Sequence, residues 1–141
     1  MKRRTARKCA LQLLFQYDFT QRVPDKKDLQ DFWSIRMEPD DIRSFAEEIF
    51  YGTLEHLNEI DRTISSAAEN WSMERMAAVD RNILRLATYE LLYRPDIPVP
   101  VTINEAIEIA KKYASQDSPA FINGILDRIA KTVRIETIKK T

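Results

Sequence analysis

Glycine, cysteine and histidine are almost missing from this chain of 141 residues. The two glycines are Gly52 and Gly124. A phosphate-cradling loop or a dinucleotide fingerprint needs glycines in series, so both are excluded. One cysteine, Cys9, permits no intrachain disulfide. With one histidine, His56, the chain also cannot assemble a structural Cys/His zinc site, which needs four ligands. Long apolar runs are absent too. The longest stretches without a charged residue, 9–17 and 118–126, are nine residues each. A membrane-spanning helix takes about 20. The basic start followed by Cys9–Tyr17 imitates a signal peptide. Gln12 and Gln16 interrupt it, Asp18 ends it and no small-residue cleavage site follows, so a cytoplasmic protein is expected.

What is present is a globular composition. Hydrophobic residues make up 44% and charged residues 31%, enough for one sizeable core and unlike a disordered chain. Lys+Arg and Asp+Glu are 22 each, so the net charge is zero and only the placement of charges is informative.

Helical periodicity runs through the chain. Residues 3–21 carry Ala6, Ala10, Leu13, Leu14 and Tyr17 on one stripe. A short helix is expected over 25–35. Pro39-Asp40 opens a third, with Ile42, Phe45, Ile49, Leu54 and Leu57 continuing to Ile60 and Ile64, and with Gly52 as a possible kink. Trp71-Ser72 reads as a junction. Residues 80–94 are apolar on most sides, which predicts a buried central helix. Three prolines in Arg94–Pro100 predict an extended connector. Thr102 and Glu105 have the spacing of a capping box, and Ser118-Pro119 that of an N-cap with proline in the first turn. The expected fold is all-α: one domain of about seven helices in two small bundles, about 1–70 and about 71–135.

Catalytic signals are thin. Cys9 and His56 make a nucleophile–base pair only if the fold joins them, and a buried thiol with a surface imidazole is the simpler reading. Adjacent acids such as Glu47-Glu48 point different ways on a helix and read as solvated surface. No cofactor or metal site is expected.

The first helix says more. With Ala10 at zero and 100° per residue, the apolar stripe lies within about 60°, while Arg4, Lys8, Leu11, Phe15 and Phe19 fall between about 100° and 180°. Lys2, Arg3, Arg4, Arg7 and Lys8 precede any acid before Asp18. Cations beside exposed rings suit single-stranded nucleic acid, whose phosphates meet the charges and whose bases stack. The alternative is that Phe15 and Phe19 pack on another helix and the cations are merely solvated. A second cluster opens the last helix. Phe121 and Asn123 flank its apolar stripe near free backbone N–H groups, which attract anions. Asp117 before them either favours the helix start or accepts hydrogen bonds from base amino groups.

Three blocks carry a resemblance: Val79–Leu91, Ile97–Lys111 and Asp117–Asp127, together with Arg3-Arg4-x-Ala6-Arg7 and the Leu14-Phe15 pair. In this order and spacing they resemble the NusB family, from residue 3 to about 131 and most weakly between 20 and 70. The resemblance implies an all-α fold of two bundles and a non-enzymatic role in transcription antitermination. It implies binding of boxA RNA together with NusE, a small-subunit ribosomal protein, and joining the RNA polymerase elongation complex with other Nus factors, notably on ribosomal RNA operons. It also implies that Arg3, Arg4, Arg7, Phe15, Asp117, Phe121 and Asn123 face RNA. Asp80 matches an acidic position beside the RNA and partner surface, and Ser118 belongs to the same block. Lys2 and Lys8 add phosphate-neutralising charge. Some relatives look able to form homodimers through this surface. The family often has a lysine before the last aromatic, where this chain has Ala120, and Thr5 interrupts the basic run. Two rival readings stand beside this one: a helical adaptor that binds only protein, and a NusB-like module of an RNA cytosine methyltransferase, which requires a catalytic domain beyond Thr141.

Overall fold

A computed structural model describes the backbone of residues 3–140 and the side chains of residues 3–133. Lys2 lies outside the described residues. Seven α-helices occur among them: α1 (Arg3–Thr20), α2 (Lys26–Arg36), α3 (Asp40–Glu55), α4 (Leu57–Ala67), α5 (Ala78–Tyr93), α6 (Val99–Tyr113) and α7 (Ser118–Lys140), with one 3₁₀ turn over Met73–Arg75. The all-α expectation holds, with no strand among the described residues.

Local chemistry sets several boundaries. Asp25 and Asp28 exchange side-chain and backbone hydrogen bonds and so start α2 with a capping box. Met37 ends it in the left-handed region at φ 55°. The expected single helix from Asp40 to Ile64 is instead two. The break falls at His56, and Gly52 sits inside α3. A Cβ on Gly52 would stand 2.3 Å from Cζ of Tyr89, so this glycine is there for close helix approach.

Two other expectations need correction. Val99 and Pro100 are not extended but form the first turn of α6, where proline loses no helical hydrogen bond. Thr102 and Glu105 therefore lie inside α6 and do not cap it. The Thr102 hydroxyl donates to Glu90, and Glu105 accepts from Arg4. At α7 the Asp117 carbonyl accepts the first helical bond, from the Phe121 N–H. Ser118 thus belongs to the first turn, buried, with its Oγ 2.9 Å from that of Ser115.

Helix α5 is the central element, packed against α1, α3, α4, α6 and α7. Leu84 is fully buried, and Ile83, Leu86, Ala87 and Leu91 nearly so. The apolar core is one cluster running from Ala6 through α5 to Ala130. At about 25 cal/mol per Å² of apolar surface, burial of this kind is the main force holding the helices together.

Polar contacts fix how α1 lies on α5. Near the start of α1, Arg7 makes a bidentate pair with Glu90, at 3.0 and 2.7 Å. Near its end, Asp18 accepts from Arg81 at 2.6 Å, Asn82 at 3.1 Å and Arg85 at 3.2 Å. Arg85 also holds Asp61 of α4 at 2.9 Å through two nitrogens. Burial alone would raise the Asp18 carboxyl, but the hydrogen bonds from Arg81 and Asn82 and the charges of Arg85 and Arg81 take it below the ordinary carboxylate range.

Candidate nucleic-acid interface

Helix α1 divides its cations between two directions. Arg3 turns toward α3, where its guanidinium lies 4.6 Å from the centroid of the Phe45 ring. Arg7 turns the same way and is closed off, 4% exposed, with its charge spent on Glu90. The structure thus places Arg7, expected to meet phosphate, in a closed pair with Glu90. Its Nε and Nη2 both donate to the Glu90 carboxylate, which takes up the edge that would otherwise grip a phosphate in bidentate fashion.

Arg4 and Lys8 point along the opposite side, toward α6. Arg4 forms a bidentate pair with Glu105 at 2.7 and 2.9 Å. This hydrogen bonding raises the Arg4 pKa further and lowers that of Glu105. The Lys8 ammonium lies 5.8 Å from the centroid of the Tyr113 ring. Beyond it Phe15, 41% exposed, lines an open cleft of about 340 Å³ with Lys8, Gln12, Val79 and Tyr113. Phe19, one turn further along, is more exposed still. The exposed second face expected on α1 is therefore present, except that Leu11 is buried.

The next residue after Val79 opens a second cleft of about 320 Å³. It lies where α5 and α7 begin, and Trp71, Arg75, Asp80, Asp117, Ser118 and Phe121 line it. Of these, Asp80, Asp117, Ser118 and Phe121 were expected at the site. Asn123 is exposed on α7 but does not line the cleft. Trp71 and Phe121 meet edge-on, with ring centroids 5.9 Å apart and planes at 76°. The Arg75 guanidinium lies 5.6 Å from the Trp71 centroid. Asp80 is 9% exposed, and its Oδ1 has no hydrogen-bond partner among the described residues.

Trp71, read from sequence only as a junction, and Arg75 and Tyr113 were not expected at the site. The available signal was an aromatic and a cation four residues apart in a segment without helical period, which reads as a loop until the fold closes it over α7.

The clefts offer charge, rings and hydrogen-bond acceptors, but no catalytic set. Among the described residues no group of His, Cys, Asp and Glu could hold a metal ion. Cys9 is buried in α1, and burial pushes its thiol up. His56 stacks on Tyr93 at 3.9 Å, and no hydrogen bond joins it to Cys9. No helix among the described residues is long and apolar enough to cross a membrane.

Comparison with known proteins gives a consistent result. The family model described as NusB family matches residues 4–131. The transcription antitermination protein NusB of Thermodesulfovibrio yellowstonii is 49% identical over 140 residues, covering 93% of each chain. A solved structure of T. maritima NusB superposes with a TM-score of 0.81 at 46% identity, covering 93% of this chain and 92% of that one. A crystal structure of antitermination factors NusB and NusE in complex with double-stranded RNA superposes at 0.83 and 25% identity, covering 94% of this chain and 99% of the other.

Proposed function

This chain belongs to the NusB family, and from that premise we propose that it is a transcription antitermination factor that binds boxA RNA together with NusE. One observation carries the reading: a cleft lined by Lys8 and Phe15 and a second lined by Trp71 and Phe121 adjoin through the neighbouring residues Val79 and Asp80. Lys8 and Phe15 are seven residues apart on α1, about 10 Å of helix. Cations at one end and rings at the other match a single strand laid along the face. Its phosphates meet Arg4 and Lys8, and its bases reach the aromatic residues. The assembled complex then joins elongating RNA polymerase with other Nus factors.

The supporting comparison is the solved NusB–NusE–RNA complex, whose NusB chain shares this fold over nearly its whole length. The reading needs no reacting group on the protein, in keeping with the names of its relatives.

The test is fluorescence anisotropy of a labelled boxA RNA against a scrambled control, with and without NusE, across a salt series. A preference for boxA that tightens with NusE is the expected result. The slope of log K against log salt, about −0.7 per phosphate neutralised, counts the cations engaged. Equal binding of both RNAs under all conditions, or none, overturns the reading.

A further inference from the structure

We propose that Glu105 of α6 is a positioning residue for Arg4: it grips one edge of the guanidinium and so aims the other edge at an RNA phosphate. The inference rests on the RNA-binding reading above and adds to it a residue that itself touches no RNA.

Three observations carry it. The first is how the Arg4 donors are divided. A guanidinium has five N–H groups. Two of them go to Glu105, from Nε at 2.7 Å and from Nη2 at 2.9 Å. Nη1 has no hydrogen-bond partner among the described residues. With the second N–H of Nη2 it forms another parallel pair, the fork that a phosphate accepts. The second is exposure. The Arg4 side chain is 51% exposed and that of Glu105 only 19%, so the pair is anchored at its carboxylate end and open at its guanidinium end. The third is the base on which Glu105 stands. Ala106 and Ile109, its neighbours on α6, are buried in the core. Thr102, one turn before it, donates to Glu90, the partner of Arg7. The Thr102–Glu105 spacing that imitates a cap thus serves the arginines of α1, one through Glu90 and the other directly.

The three arginines of the basic start differ in what holds them. Arg7 is closed inside the protein on Glu90. Arg3 rests against the Phe45 ring. Arg4 is the one both gripped by a bidentate carboxylate and half exposed. An unheld surface arginine gives up rotamer freedom when it meets a phosphate. Arg4 has already given it up to Glu105. The hydrogen bond from Arg4, with the charges of Arg4, Arg7 and Lys8, holds the Glu105 carboxyl below its ordinary range, so the grip is in place before RNA arrives. Glu105 is also an acid near a polyanion, and its repulsion opposes binding. That field falls on Lys8 as well as on Arg4, whereas the grip acts on Arg4. The difference separates the two effects.

The experiment is a pair of double-mutant cycles on the full chain, read as boxA affinity by fluorescence anisotropy with NusE present. Arg4→Ala and Lys8→Ala are each made in the parent and in Glu105→Gln, which keeps the shape of the side chain but offers Arg4 one acceptor in place of two. Arg4→Ala is expected to weaken binding by a factor about 2- to 12-fold larger in the parent than in Glu105→Gln, the range for immobilising one long side chain. Lys8→Ala is expected to weaken it by the same factor in both backgrounds. Circular dichroism of each variant checks the fold. An Arg4→Ala factor that is equal in the two backgrounds overturns the inference. So does a larger factor in Glu105→Gln, which would make the carboxylate a competitor of the phosphate. A matching fall in the Lys8→Ala factor also overturns it, because a general distortion of α6 then accounts for the change. If Arg4→Ala leaves the affinity of the parent unchanged, the positioning role is overturned while the RNA-binding reading stands. Failure of the parent chain to bind any RNA, with or without NusE, removes both.

Discussion

Arg7 and Glu90 face each other across the α1–α5 contact with Nη2 and Oε1 2.7 Å apart, and both side chains are closed to solvent. Thr102 adds a hydroxyl to the same carboxylate from α6 at 3.2 Å. The arrangement joins three helices through one anion. A cation from the most basic segment of the chain is thereby committed to the fold.

Removing one partner leaves the other charge buried and alone, which costs about 3–5 kcal/mol. Arg7→Ala and Glu90→Gln are each expected to lower the unfolding free energy by that order in urea titrations. The double variant Arg7→Met with Glu90→Leu should recover much of the loss. RNA affinity of whatever fraction remains folded should stay near that of the parent. A large loss of affinity in a fully folded Arg7→Ala protein would return Arg7 to the interface.

The two glycines should respond with opposite signs. At Gly52 an added methyl meets the Tyr89 ring at 2.3 Å. Gly52→Ala is therefore expected to destabilise by about 1–3 kcal/mol, the usual range for overpacking. That outweighs the gain of up to about 1 kcal/mol that alanine brings to a helix interior. At Gly124 nothing lies within 4 Å of the added carbon. Gly124→Ala should then stabilise by up to about 1 kcal/mol. Thermal unfolding of the two variants checks both signs.

Acid should loosen the α1–α5–α4 junction. The Asp18 carboxyl is held below its usual range in the fold, against 3.8 for the free group. A group depressed in this way adds stability above its unfolded pKa, and the contribution disappears as pH falls through the folded value. The expected loss therefore sets in below about pH 4. Asp18→Asn should be less stable than the parent at pH 7 and should flatten that part of the profile. Urea midpoints between pH 7 and pH 2.5 measure it.

Tyr93 gives the alkaline counterpart. Burial and the hydrogen bond to Glu59 push its phenol from 10.0 up to about 12. With the folded pKa raised, the contribution is complete below pH 10 and is lost as pH rises through about 12. Ultraviolet titration of the phenolates should show a last ionising step near pH 12, and Tyr93→Phe should delete it.

On the RNA-facing side, Phe121→Ala should weaken boxA binding by about 1–3 kcal/mol if its ring stacks on a base. Lys8→Ala should weaken all sequences alike and lower the salt slope by about 0.7. Anisotropy across salt separates the two effects. An unchanged slope for Lys8→Ala would take that lysine off the phosphate track.

The period of the helices was legible because burial is a local pattern. Ala6, Ala10, Leu13 and Leu14 fall on one side of α1 by angle alone, and all four are buried. The same arithmetic held the fate of Arg7 and Arg3. They lie at about 60° and 20° from Ala10, inside the apolar sector, whereas Arg4 and Lys8 lie at about 120° and 160°. Reading the five cations as one basic run hid that difference. Its reason was out of local reach, since Glu90 stands 83 positions further along the chain. Thr102 and Glu105 misled in the converse way. Their spacing imitates a cap, but each side chain serves a distant partner. Trp71 and Arg75 join the site only because the connector folds over the start of α7.

Fastening α1 at both ends has a kinetic consequence. Arg7 and Asp18, eleven positions apart and about 16 Å along the helix, pin the segment between them to α5. The incoming strand meets a bar already fastened to the core, so docking on α1 needs no ordering of that helix. Encounter then becomes the slow event. Salt should act chiefly on the association rate and only weakly on the rate of departure.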